Sequence, residues 1–180
     1  MFARIVAVAL VVVSMGAPAL AADREDLQIF RDVSRQVLRY PNFTIFDSVN
    51  ANIDNGIVTL TGKVTMPYKR SDIEHRVAKI SGVREVQNRI DVLPVSQFDD
   101  ELRLGIARAI YGNSNFWNYA SMVNPPIHVI VEHGHVTLEG VVGSNVDRAL
   151  ARSLASGFTA FSITNNLKTE KEVQADLEKL

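Results

Sequence analysis

The chain contains no cysteine. It can form no disulfide framework, offers no thiolate as nucleophile or metal ligand, and presents no thiol for lipid attachment. Tryptophan occurs once and proline six times in 180 residues, which excludes a proline-rich linker protein. Charge of one sign is also missing: 19 basic residues face 20 acidic ones, so overall electrostatics provide no attraction for nucleic acid. No G-x-S-x-G, H-E-x-x-H, phosphate loop or dinucleotide fingerprint occurs, and the carboxylates fall mostly in helix first turns, strands or the tail. The composition excludes the common enzyme signatures and implies no cofactor.

The one long apolar run is at the start, where Arg4 precedes "IVAVALVVVSMG" and then "APALAAD". Charged, apolar and small-residue regions in that order predict a secretory signal peptide over residues 1–21, cleaved near Ala21. The run is well short of the roughly 20 residues that span a bilayer. An exported, periplasmic protein is expected. Beyond the leader, residues 23–96 carry 11 basic and 10 acidic groups, whereas 97–180 carry 7 and 10.

The chain repeats itself. "IDNGIVTLTGKV" (53–64) superposes on "VEHGHVTLEGVV" (131–142) at a shift of 78, which also pairs Arg70 with Arg148, Val77 with Ala155, Val83 with Phe161 and Asn88 with Asn166. Asn55-Gly56 between two alternating runs predicts a two-residue hairpin turn with positive φ. His133-Gly134 stands in its place. His133 and His135 share a strand face, but no Cys, third His or spaced carboxylate completes a tetrahedral set, so the pair reads as a hairpin tip and no metal site is expected.

Periodicity places a helix over about 26–39 with Ile29, Phe30, Val33 and Val37 on one face, then two hairpin strands. A helix opened by Pro67 carries Ile73, Val77 and Ile80, and a third strand lies in "VREVQNRIDV". The second copy repeats the order with Leu102, Ile106, Ala109 and Ile110 on its first helix and Val146, Leu150 and Leu154 on its second, Ser144 and Asp147 giving a capping signal. The expected organisation is a first module over 23–93, a linker over 94–98, a second module over 99–169 and a charged tail over 170–180.

"NGIVTLTGKV" and "HGHVTLEGVV", with "ISGVREVQNRIDV" and "TAFSITNNL", resemble the BON domain (bacterial osmotic-stress and nodulation) of exported envelope proteins, twice over nearly the whole mature chain. The second copy departs in having Ala160 where Gly82 stands. The resemblance implies an α+β fold with two helices on a small mixed three-stranded sheet per module. It also implies a non-enzymatic role at phospholipid surfaces or in envelope integrity under stress. The alternative is a periplasmic protein-interaction or chaperone-like holding module.

Three features are candidates for contact with anionic phospholipid or an envelope partner. Arg31, Arg35 and Arg39 lie four apart on the first helix. Lys69, Arg70, Arg76 and Lys79 flank the apolar stripe of the second helix, where their stems can snorkel or stay solvated. Between first helix and hairpin the second copy is five residues longer, the shift growing from 73 (Val33 to Ile106) to 78. The added segment holds Phe116, Trp117 and Tyr119, which either cap a small core or form an interfacial patch.

Overall fold

The computed structural model describes residues 19–177, with side chains from 25 to 176. The expected leader, apart from the backbone of its last three positions, lies outside the described residues. Among the described residues no helix is long and apolar enough to cross a membrane.

Two α+β modules follow one another. The first runs α1 (Ala19–Leu38), β1 (Ser48–Asp54), β2 (Ile57–Val64), α2 (Pro67–Val77) and β3 (Glu85–Val92). In the second, α3 (Gln97–Tyr111), a 3-10 turn (Ser114–Phe116) and α4 (Trp117–Ala120) lead to β4 (Ile127–Glu132), β5 (His135–Val142), α5 (Asn145–Ala155), β6 (Ser162–Asn165), β7 (Lys168–Thr169) and α6 (Glu170–Leu177). The first helix starts earlier than its periodicity indicated. Gln97 and Phe98, expected in the linker, are already helical, because the Ser96 hydroxyl accepts from Asp99 N–H and caps α3.

Each sheet sets an antiparallel hairpin beside a parallel third strand, and the intervening helix makes the crossover that parallel pairing requires. The second sheet has four strands rather than three, since its last strand breaks into β6 and β7, both pairing with β5. Register corrects the repeat alignment. Leu60 faces Asn88 and Leu138 faces Asn165, so beyond the second helix the shift is 77 and one residue has been lost. The Asn88 amide donates to the Arg70 carbonyl at 3.0 Å and the Asn165 amide to the Arg148 carbonyl at 2.9 Å, which makes Asn165, not Asn166, the equivalent residue. The lost residue falls in the turn after the helix, where Ser81 and Gly82 stand against Thr159 alone, so Ala160 is not the partner of Gly82.

Both modules bury the V and L of V-T-L. Val58 and Leu60 lie under Ile29, Val33, Val37, Ile73 and Val77, while Val136 and Leu138 lie under Leu102, Ile106, Ile110, Ala151 and Ala155. The α5 stripe is rotated from the expected Val146, Leu150 and Leu154. Val146 is exposed and two alanines face the core, which lets α5 lie close. The motif glycine has a steric reason: at Gly140 a Cβ would sit 1.8 Å from the Pro126 carbonyl oxygen, with φ at +119°.

Both hairpin turns have two positive φ values, 51° and 77° at Asn55-Gly56 and 52° and 77° at His133-Gly134, so the histidine does replace a turn asparagine. A carboxylate from the neighbouring helix clamps each turn. Asp26 accepts from the Asn55 and Gly56 amides at 2.8 and 2.9 Å, and Asp99 from those of His133 and Gly134 at 2.9 and 2.7 Å. The 73-residue repeat of these two aspartates was visible in the sequence. The turn amides that donate to them were not.

The modules are joined by more than the linker. The turn before β1 carries Ile45 and Phe46 onto the second module's core, and the Val129 amide donates to the Ile45 carbonyl at 2.7 Å. Asp47 holds that turn. Fully buried, its carboxylate accepts from the Thr44 amide and hydroxyl, the Thr65 amide and hydroxyl, and the Lys69 ammonium, all at 2.7–2.9 Å. Burial by itself would raise this carboxyl, but the bonds from Lys69, Thr65 and Thr44 outweigh it and hold it below its ordinary value. Ser48 with Glu139 and Lys63 with Glu132 add polar links between the sheets.

Candidate docking site

The seven basic candidates of the first module divide into three groups. Arg31 and Arg35 are exposed on α1, and Arg39, expected as its last residue, is exposed in the turn just past it. On α2 Arg70 is exposed and Arg76 half-buried, and Lys79 is exposed in the turn that follows the helix. Lys69 is not a surface cation: at 4 % exposure it is sealed under the first module's loops, its ammonium spent on Asp47 and on the Thr65 hydroxyl at 2.7 Å. Its place beside the α2 stripe suggested a snorkelling side chain, but a buried carboxylate demands a buried cation. Lys69 is withdrawn from the docking set.

The packing of α1 against α2 joins two groups that sequence treated separately. Arg35 at the end of α1 and Arg39 just past it, with Arg76 at the end of α2 and Lys79 just past it, border a single open cleft, with Ile80 and Ser81 closing it. Arg76 lies with its guanidinium carbon 5.0 Å from the centre of the Tyr40 ring, which fixes it across the helix junction. The Tyr40 hydroxyl donates to Asp72 at 2.6 Å. Its pKa is raised, first by burial and then by that carboxylate. Asp32 pairs with Arg35 at 2.8 Å and tempers the charge, leaving Arg39, Arg76 and Lys79 as the stronger donors of the cleft. Arg31 does not border it, and Arg70 turns toward β3, donating to the Asn88 carbonyl at 3.3 Å.

The aromatic segment divides as well. Phe116 is completely buried among the second module's core side chains, so it caps the core and is no surface contact. Tyr119 packs on the same core, accepts from the Gly143 amide at 2.7 Å and donates to Asp147 at 3.0 Å. The phenol is raised by burial and by Asp147. Trp117 alone remains outward, 73 % exposed.

Of the histidines, His135 has its Nδ1 2.7 Å from the Ser162 hydroxyl, and His133 serves its turn. Among the described residues no group of three or more His, Asp or Glu side chains is arranged to hold a metal ion. His128 packs its ring 5.4 Å from that of Phe43, across the module junction. Burial lowers its pKa, partly offset by the Asp47 and Thr44 backbone carbonyls and by the charges of Asp47 and Glu139.

Comparison with known proteins gives one family. The BON domain model matches residues 25–94 and 118–171, one segment in each module. No curated protein matches the chain. Among solved structures, CdsD, a structural protein of the Type III secretion system of Chlamydia trachomatis, aligns at 13 % identity over 84 % of this chain and 97 % of its own, with a TM-score of 0.30. A second structure, of its C-terminal domain, aligns at 12 % identity over 79 % and 98 %, with a TM-score of 0.28.

Proposed function

The chain belongs to the BON-domain family, and from that premise we propose that it is a non-enzymatic protein of the cell envelope that docks on anionic phospholipid surfaces through the α1/α2 cleft. Export by the leader over residues 1–21 would deliver it to the periplasm. The observation that carries this reading is the convergence of Arg35, Arg39, Arg76 and Lys79 from the ends of two helices on one solvent-facing cleft. Cations gathered on a rigid helix pair meet a negative headgroup layer together, without the ordering cost that scattered side chains carry.

Sedimentation with vesicles tests it. Binding to vesicles rich in an anionic phospholipid should fall steeply with salt and be absent on zwitterionic ones. Near such a surface each cation contributes about 1 kcal/mol, so Arg39→Gln, Arg76→Gln and Lys79→Gln together should weaken binding about 100-fold. Arg108→Gln with Arg152→Gln, both exposed in the second module, should change it little. Arg103 is unsuitable as a control because it is buried. Equal loss from both sets, or binding that ignores salt and follows a protein client, would favour the holding-module reading.

A further inference from the structure

The edge strand of the second sheet has most of its outward backbone groups covered. At β4 the Tyr111 hydroxyl donates to the Ile127 carbonyl at 2.6 Å and accepts from its amide at 2.9 Å, the Val129 amide is taken by the Ile45 carbonyl, and Arg103 donates to the Val131 carbonyl at 2.7 Å. Ile127, Val129 and Val131 thus present their backbone groups outward. By the repeat their counterparts on β1 are Val49, Ala51 and Ile53, which occupy the same register opposite β2.

None of the three covers exists there. Tyr111 is replaced by Leu38 and Arg103 by Phe30, and among the described residues no strand pairs with the outer edge of β1, where the sheet ends. What remains is a groove of about 300 Å³ between α1 and the β1 edge, walled by Phe30, Val37, Leu38 and Phe43, floored by Ser48 to Ala51 and bounded at its junction end by His128, Glu139 and Gly140 of the second module. Open backbone donors and acceptors beside apolar walls suit an extended polypeptide and not an acyl chain, which would leave them unpaired.

The repeat also identifies the segment built to fit. In the first module the piece that covers β4 is the turn at Ile45. Its counterpart in the second module is Val123, preceded by Met122, and these two are 97 % and 48 % exposed. The anchoring of this turn is preserved by other means: where Asp47 accepts from the Thr65 amide, the Tyr119 hydroxyl accepts from the equivalent Gly143 amide. One molecule therefore holds an open socket on its first module and an exposed plug on its second, with an occupied pair of the same kind between its modules.

We propose that this chain self-associates head to tail, the Met122–Val123 turn of one copy entering the α1/β1 groove of the next and offering the Val123 carbonyl to the Ala51 amide. Such a contact is heterologous and propagates unless its rotation closes a ring. It is separate from the basic cleft and stands or falls without it.

Sedimentation velocity on the full-length gene product, in the form the cell processes it to, should show mass rising with concentration. Val123→Asp, at a position with no packing role, should weaken association at least tenfold without changing the melting temperature. The absence of native cysteine permits a direct check. Val123→Cys protein mixed with Leu38→Cys protein should cross-link under mild oxidation, and neither variant should do so alone. A monomer up to roughly millimolar concentration, which would leave the groove to a foreign strand, overturns the proposal. So does association indifferent to Val123→Asp, or Val123→Cys protein cross-linking to itself.

Discussion

Replacing Asp47 by Ala should be among the costliest single changes in the chain. The carboxylate is wholly buried and takes five hydrogen bonds, two from backbone amides and one from an ammonium whose side chain is 5 % exposed. Truncation leaves that ammonium unpaired, and breaking a buried ion pair from one side costs about 3–5 kcal/mol. The orphaned Thr44 and Thr65 amides add to this, at about 1–3 kcal/mol for each buried donor left unmade. The turn that seats Ile45 and Phe46 would also lose its anchor. We expect a loss of at least about 4 kcal/mol by urea unfolding at pH 7, a large share of the total stability of such a domain. Lys69→Met should cost less, because the carboxylate keeps four neutral donors, and Asp47→Ala with Lys69→Met together should cost less than the sum of the two. With the folded-state carboxyl held below its unfolded value of 3.8, the stabilisation is complete above that value and is lost as pH falls through the lower one. A cost below about 1 kcal/mol for Asp47→Ala would refute the assignment of this residue as the hub of the turn.

Leu60→Ala and Leu138→Ala, both at fully buried inner positions, should each cost about 2–5 kcal/mol in the same assay, and a loss under about 1 kcal/mol at either would contradict the strand facing. His133→Asn should leave stability unchanged or slightly raised, since asparagine suits the same positive φ; zinc raising the melting temperature by many degrees only when both His133 and His135 are present would contradict the turn role. His128 is held below 6.5, so the unfolded chain takes up this proton first and stability should decline as pH falls from 6.5 through the folded value. His128→Asn, the residue type of the equivalent Asn50, should flatten that slope in melts between pH 7 and 5.

Much of the fold was legible because it rests on local chemistry. Asn55-Gly56, Pro67, Ser144 and the two V-T-L runs act within a few residues of themselves, and element order followed from them. The lost residue before β6 was legible too: a shift of 77 sets Ile163 on Val86 and Leu167 on Ile90, whereas 78 sets Thr164 and Lys168 there. Lys69 was misread because its partner lies 22 residues away in a loop with no pattern of its own. The cleft was half visible. Spacing located the arginines on α1 and just past it, but their meeting with Arg76 and Lys79 depends on how two helices cross, which no periodicity records.

The seating of Ile45 and Phe46 has a consequence for how the molecule can be divided. They lie in the first copy of the repeat and belong to the core of the second, so cutting at the linker yields a second half with a hole in its apolar surface and a bare strand edge at Val129. During synthesis the amino-terminal half emerges first and can present its turn as a finished template before β4 exists. The unit that is repeated and the unit that folds are therefore not the same, and a truncation drawn at the linker should aggregate where the chain with both modules should not.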